Sequence, residues 1–340
     1  MTQRYLVTGA QGFIGRHMVN HLLSRYPECS VLGVGRSPQE HSFFNYSIHC
    51  GGQSMPAPLP DYLRIPIGRR YRYIALDMAS DDFGIAVRDF RPTKVVHLAG
   101  ALRATPGSPG IQDYIFQNNV QSTASLLDAI LQCEIEMLLL ASTGGVYGKQ
   151  DQFPIKETAT PAPLDIYSRS KLACEDLVRQ FAFRSGVPTS EVRIFNVLGP
   201  GQDDLHFAGR VASQMASILV SKTDSSIRIG SLTSSRDFLD ARDVCYGLDV
   251  ILKSNLHGIY NLGSGFETNI SELLRFFLEA ARLRKDICID IDQDADWIDP
   301  VPRHVANISR LTSKGFAPQY SLELSCREML DYCVGCVLRS

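Results

Sequence analysis

The chain has 340 residues, enough for one large α/β domain or two unequal ones. Its hydrophobic content of 44% and charged content of 21% are ordinary for a globular protein in water. The net charge of -2 gives no electrostatic reason to expect nucleic acid or an anionic membrane as partner, and no uninterrupted apolar run is long enough to span a bilayer.

The first strand is expected at Arg4–Thr8. It follows the start MTQRYLVTGA so closely that no room is left for a signal peptide, which sets the expectation of a cytoplasmic protein. Helical periodicity covers Gly15–Arg25, with Met18, Leu22 and Leu23 on one face. Apolar runs predict strands at Ser30–Val34, Tyr73–Leu76 and Lys94–Leu98, a helix near Asn119–Leu131 and a strand ending at Ala141. A helix over Tyr167–Ser185 and a strand at Ser190–Phe195 follow. Between the strands Ser30–Val34 and Tyr73–Leu76, Ser37–Arg70 reads as a long irregular insertion, polar and rich in Pro and Gly, of a kind that tends to be functional or mobile. Beyond Pro200 come a helix (Ala208–Val220), a strand (Ser226–Ile229), a helix (Asp243–Leu252), a strand (Gly258–Leu262) and a helix (Ser271–Leu283). Such alternation predicts an α/β protein with a doubly wound parallel sheet and a smaller C-terminal domain laid over it. Ligands bind such sheets beyond the carboxyl ends of the strands.

Gly9, Gly12 and Gly15 are spaced G-x-x-G-x-x-G between the first strand and the first helix. In that context glycines let backbone approach a pyrophosphate, and the helix start offers free N–H groups and the positive end of its dipole. The expected sheet is therefore of Rossmann type and binds a dinucleotide. An NAD site commonly places an acid about 20 residues further on, for the ribose 2′-hydroxyl. Here the second strand ends in Gly35-Arg36-Ser37 with no acid. Arg36 and Ser37 suit a 2′-phosphate, so NADP is expected, with NAD as the alternative. Asp77, ending the third strand, is placed to accept a bond from the adenine amine or else to cap a turn.

The strand ending at Ala141 runs into Ser142-Thr143-Gly144-Gly145, putting hydroxyls at its carboxyl end. Tyr167 and Lys171 stand four apart and share one helix face. A tyrosine with a pKa near 10 is a poor base at neutral pH. An ammonium about 5 Å away contributes on the order of 3 kcal/mol at an effective dielectric near 20, which corresponds to a drop of roughly 2 pKa units. Tyr167 is thus expected to exchange a proton with a carbinol or ketone oxygen.

With these residues together, the sequence resembles the extended short-chain dehydrogenase/reductases that act on nucleotide sugars, the NAD(P)-dependent epimerase/dehydratase family. The motifs are TGAQGFIG, LDM, VVHLAG, the NNV containing Asn119, ASTGGVYG, YSRSK, NVLGPGQ and RDFLDARDV. The resemblance implies Thr143, Tyr167 and Lys171 as the catalytic triad. It implies cofactor contacts from Phe13, Ile14, Met78, Leu98, Ala99, Gly100, Asn119, Tyr167 and Lys171. Substrate contacts fall to Thr143, Asn196, Arg236 and Arg303, the arginines suiting phosphate by their planar fork. In relatives that dehydrate the sugar, the residues after the triad hydroxyl include an acid pair; here they are Gly144 and Gly145. Dehydration is therefore not expected. The pattern is most similar to GDP-4-keto-6-deoxymannose reductases, which implies NADP-dependent reduction of a nucleotide-linked 4-keto-6-deoxy sugar at C4. The alternatives are a 4-epimerase that holds NAD tightly and a non-enzymatic dinucleotide sensor.

The implied division gives residues 1–197, plus strands returning within 226–262, to the dinucleotide-binding domain. Residues 198–225 and 263–340 go to the nucleotide-sugar-binding domain. A homodimer is implied through the helices near Asn119–Leu131 and Tyr167–Ser185, with Leu126, Ile130, Leu172, Leu177 and Phe181 as candidate apolar contacts. No metal is expected. Asp290, Asp292, Asp294 and Asp296 alternate but lack the glycine and glutamate of a calcium loop, and the eight histidines show no ligand spacing. Nine scattered cysteines make a poor disulfide framework, and the C-x-x-C of Cys333 and Cys336 is read as a pair of structural thiols.

Overall fold

The structure, a computed structural model, describes residues 3–50, 53–65, 68–102, 110–221, 226–229, 232–281, 288–291 and 299–339. The first half runs β1 (Arg4–Thr8), α1 (Phe13–Arg25), β2 (Ser30–Gly35), β3 (Phe43–Cys50), β4 (Gln53–Pro58), β5 (Tyr71–Ala75), α2 (Asp81–Phe90), β6 (Lys94–His97), α3 (Ile111–Ile130), β7 (Met137–Thr143), α4 (Ile166–Ser185) and β8 (Thr189–Ile194). The second runs β9 (Asn196–Leu198), α5 (Phe207–Ser221), β10 (Ser226–Ile229), β11 (Ser235–Arg236), β12 (Phe238–Asp240), α6 (Ala241–Lys253), β13 (Gly258–Leu262), β14 (Thr268–Asn269), α7 (Ile270–Ala280), β15 (Cys288–Ile291), β16 (Arg303–His304), α8 (Ser309–Thr312) and α9 (Leu322–Val337).

Seven strands make one parallel sheet in the order β13-β8-β7-β6-β1-β2-β5. The order reverses between β1 and β6, where α/β sheets open a crevice for ligands. Alternation along each strand serves two apolar layers. Tyr5 and Val7 of β1, with Met137, Leu139 and Ala141 of β7, pack with α1 and α6. Leu6 of β1, with Leu138 and Leu140 of β7, faces α2, α3 and α4. A third cluster joins β3 and β4 to α5, α7 and α9 and forms the core of the smaller C-terminal part.

Three parts of this architecture differ from expectation. The Ser37–Arg70 insertion is not irregular throughout: β3 and β4 form an antiparallel hairpin, and Phe44, Ile48, Ala57, Leu59 and Leu63 join the core of the smaller part. Helices α2 and α9 escaped the sequence reading, and α3 starts eight residues before Asn119. Of the strands expected to return to the sheet, Gly258–Leu262 does so beside β8, while Ser226–Ile229 pairs with Cys288–Ile291 in a separate two-stranded sheet. Cys333 and Cys336 are buried thiols within α9. Asp292, Asp294 and Asp296 lie outside the described residues, as does the side chain of Asp290. Among the described residues no helix is long and apolar enough to cross a membrane, and none form a metal-ligating cluster.

Candidate active site

The glycine turn is built by close backbone approach. Gly9 has φ 68°, and a Cβ there would lie 2.8 Å from Ala99 N. A Cβ on Gly15 would lie 2.1 Å from Gly9 O, so only glycine lets α1 start this close to the turn. The turn is pinned to β2 by Gly9 N–H donating to Val34 O at 2.8 Å. Gly12 caps α1 without a side-chain acceptor, and the first turn holds no acid, which leaves its N–H groups for an anion. Phe13 leans toward Gly199 and stacks at an angle with Phe44 of the hairpin, while Ile14 packs into the layer beneath.

Across the crevice, Arg36 is exposed and donates to Tyr114 Oη at 2.8 Å. Ser37 Oγ accepts from Asn45 at 3.1 Å. Asp77 holds its own turn, accepting from Ala79 N–H at 2.9 Å, and Met78 is buried under α2. Asn119 fastens the segment Leu98-Ala99-Gly100-Ala101. Its carbonyl accepts from Ala101 N–H (2.6 Å), and its amide donates to Ala101 O (3.0 Å) and Ser170 Oγ (2.9 Å). A Cβ on Gly100 would lie 3.1 Å from Lys171 Nζ and 3.3 Å from Asn119, so this segment lies against the ammonium.

Thr143 ends β7 and accepts from Gly145 N–H at 3.1 Å. Asp165 starts α4 by accepting from Ser168 N–H and Oγ–H at 2.8 and 2.7 Å, which sets Tyr167 and Lys171 in the first turns. Lys171 Nζ donates to Ala141 O at 2.9 Å, tying α4 to the strand that carries Thr143, and lies 5.9 Å from the centre of the Tyr167 ring. One expectation fails. Burial pushes the Tyr167 hydroxyl up rather than down, with Asp165 adding to the effect, and burial pushes the Lys171 ammonium down. Loss of hydration around the phenolate is the largest cause, and the charges at Asp165 and Cys174 act in the same direction.

Beneath this group lies a buried network that sequence reasoning missed. Ser142 and Arg193 are register partners on β7 and β8, and both turn to the α4 face. Glu175, one turn beyond Lys171, accepts from Ser142 Oγ at 2.5 Å, Arg193 Nε at 3.0 Å and Arg193 Nη2 at 2.7 Å. Arg193 also lies 4.7 Å over the Tyr147 ring. Burial works against its charge, but the bonds and charge of Glu175 win and hold it above its ordinary range. The two residues lie 18 apart on α4 and β8, among other charges, and nothing in the linear pattern marks them as a pair. His97 was likewise overlooked. It bridges Thr8 Oγ1 (2.6 Å) and Thr123 Oγ1 (3.1 Å), and burial pushes it down to about 3.

Among the residues expected to meet substrate, Asn196 donates to Asp237 O at 3.2 Å. Arg236 pairs with Asp299 at 2.5 Å. Arg303 is engaged on the surface by Glu267, through two bonds of 2.8 and 2.7 Å, and lies over the Phe153 ring. His304, its neighbour, contacts the end of the strand that carries Thr143 instead. Its Nε2 lies 3.0 Å from Gly144 O, and its ring stacks on Phe195 at 4.5 Å. A Cβ on Gly144 would lie 2.7 Å from His304 and 3.0 Å from Phe195, and one on Gly145 would lie 2.4 Å from Ser168 Oγ. A separate cleft of about 710 Å³, lined by Arg179, Glu191, His257 and Arg310, opens at the amino ends of β8 and β13, away from these residues.

The model of the NAD dependent epimerase/dehydratase family matches residues 5–263, from the first strand of the sheet to the last. The chain belongs to that family. It is 29% identical over 297 residues to the GDP-6-deoxy-D-mannose reductase of Pseudomonas aeruginosa, covering 85% of this chain and 84% of that protein. It is 28% identical to the GDP-6-deoxy-D-talose 4-dehydrogenase of Aggregatibacter actinomycetemcomitans, covering 91% and 90%. Among solved structures it is similar to RMD from Pseudomonas aeruginosa complexed with NADPH, with a TM-score of 0.77 and 26% identity over 98% of this chain and 100% of that one. The protein is thus a Rossmann-type, NAD(P)-dependent nucleotide-sugar enzyme.

Proposed function

We propose that the enzyme reduces the 4-keto group of a nucleotide-linked 6-deoxy sugar, with NADPH as reductant and GDP as the nucleotide. The observation that carries this reading is the close packing at Gly144 and Gly145. The acid pair needed to eliminate water has no space beside Thr143, which leaves redox chemistry at a carbonyl. The similar proteins named for GDP-6-deoxy sugars support the substrate class.

The residues fit a dinucleotide: the turn at Gly9, Gly12 and Gly15 would cradle the pyrophosphate, with Arg36 and Ser37 at the adenosine ribose and Lys171 at the nicotinamide ribose. When bound, the nicotinamide supplies the hydride. Tyr167 then gives its proton to the sugar oxygen as negative charge develops there, and Thr143 donates a second hydrogen bond to the same oxygen. Asn196 and Arg236 hold the diphosphate, Arg236 after exchanging part of its bond with Asp299.

The test is NADPH oxidation by the purified protein with GDP-4-keto-6-deoxymannose. Turnover with formation of the 6-deoxy sugar supports the reading. Absence of turnover, together with NAD released on denaturing the protein, favours the epimerase.

The same reading includes a homodimer. Leu126, Ile130 and Phe181 are buried within the protomer, while Leu172 and Leu177 stay partly exposed. Phe116 of α3 and Phe183 of α4 remain exposed, at 36% and 92%, and supply the interface. Sedimentation at micromolar concentration showing only the 37.7 kDa species would rule the dimer out.

A further inference from the structure

Arg16 directly follows Gly15 on α1 and is 5% exposed. Its side-chain hydrogen bonds to the described residues leave from one nitrogen, Nη2. They reach Gln11 Oε1 (3.1 Å), Glu40 O (2.6 Å) and Phe43 O (3.2 Å), all neutral oxygens. Its Nε is buried with no partner. The nearby Glu40 carboxylate is turned to the N–H groups of His41 and Ser42, at 2.7 and 2.8 Å. Burial pushes this guanidinium down from its ordinary value. A buried cation hydrogen-bonded only to neutral oxygens, with the Glu40 carboxylate acting on it without a direct bond, is costly, and an anion brought by a ligand would compensate it.

The surroundings indicate which anion. Gln11 belongs to the glycine turn, and Arg16 holds its carbonyl oxygen, so its amide N–H groups point the other way. Glu40 and Phe43 stand just beyond Arg36 and Ser37 in the chain, so Arg16 joins the turn to the segment that leaves β2. Gly33 of β2 packs on the same turn, since a Cβ there would lie 2.8 Å from Ala10 Cβ. These donors gather where the adenosine ribose of a dinucleotide would lie.

We propose that Arg16, acting with Gln11 and Arg36, is the buried counter-charge for a phosphate on the adenosine ribose, and that it sets the preference for NADP(H) over NAD(H). The inference rests on the dinucleotide reading above and assigns the discrimination to a residue outside the β2 terminus. A purely structural role, fastening residues 40–43 to α1, is the competing account.

Calorimetric titration of the full chain with 2′,5′-ADP and with ADP separates the two, because these probes differ in the ribose phosphate and not in the ring. The wild type is expected to bind 2′,5′-ADP at least tenfold more tightly than ADP. Arg16→Met should weaken 2′,5′-ADP at least tenfold and leave ADP within twofold, and Arg16→Lys should keep part of the difference. Gln11→Glu, which supplies an internal carboxylate partner for Arg16, should abolish the selectivity in a protein of unchanged or higher Tm. This variant keeps the proposal testable if Arg16→Met does not fold. An unchanged selectivity ratio in Arg16→Met or Gln11→Glu overturns the proposal. If the wild type binds neither nucleotide, the dinucleotide reading itself falls, a distinguishable result.

Discussion

Replacing Glu175 by Gln tests the buried network under the proposed catalytic residues. The amide keeps the shape and a bond to Ser142 but removes the charge facing Arg193, whose side chain is 2% exposed. An uncompensated charge of this kind costs about 3–5 kcal/mol. With an unfolding entropy of about 2.1 cal/mol/K per residue, 340 residues give roughly 0.7 kcal/mol/K, so Tm should fall by about 4–7 °C. The pair Glu175→Leu and Arg193→Met should recover most of this loss, because apolar groups of similar size replace a buried ion pair at little net cost. Activity should fall beyond the loss of stability, since Glu175 anchors Ser142, the neighbour of Thr143, and lies one turn from Lys171. Scanning calorimetry and steady-state kinetics on the wild type and the two variants decide it. A Tm within 1 °C of wild type for Glu175→Gln, or a double variant no better than the single, would refute the argument.

Three further outcomes are expected. Tyr167→Phe should lower kcat by about 10²–10⁴ with dinucleotide binding little changed, as measured by stopped turnover and fluorescence titration; near-full activity would mean another group carries the proton. Gly144→Ala should cost about 1–3 kcal/mol, because the added methyl drives apart the stacked rings of Phe195 and His304, and denaturant melts giving less than 0.5 kcal/mol would contradict that packing. Burial pushes His17 and His304 down to about 4 and His97 to about 3, so all three stay neutral in the fold while the unfolded chain takes up protons below about pH 6.5. The stability they contribute is complete above that pH and is lost as the pH falls toward 4. In His304→Gln, the slope of unfolding free energy against pH between 6 and 4 should drop by about 1.4 kcal/mol per unit.

What the sequence revealed and what it hid follow from the range of the interactions. The glycine turn and the Tyr167–Lys171 pair are set by spacings of three and four residues, and such spacings survive in the linear pattern. The hairpin of β3 and β4 does not, because its apolar residues are stabilised by α5 and α9, more than 150 residues away. Helix α2 contributes only Phe83 and Val87 to the core, too few to mark a period among its exposed acids. Glu175 and Arg193 look like ordinary surface charges in the chain, and their burial depends on α4 crossing the end of β7 and β8. Arg16 was hidden by its neighbours, since a lone arginine after the third glycine reads as a solvated helix residue until the insertion folds over it.

The failed expectation about Tyr167 bears on the direction of reaction. A phenol whose hydroxyl is pushed up by burial holds its proton through neutral pH. That is the form needed when a ketone gains hydride, because the alkoxide that develops is a far stronger base than a phenolate and takes the proton without prior acidification. Oxidation of the alcohol needs the phenolate, which burial and Asp165 disfavour. Under the proposed function, reduction should therefore proceed at a near-constant kcat from pH 6 to 9. The reverse oxidation should rise steadily with pH over the same range, by up to tenfold per unit. Asp165→Asn removes the neighbouring charge but keeps a capping oxygen for α4, and it should move the whole pH profile of oxidation to lower pH. Parallel pH profiles in both directions, with a bell centred near neutrality, would show that Tyr167 titrates there after all and would sink this account.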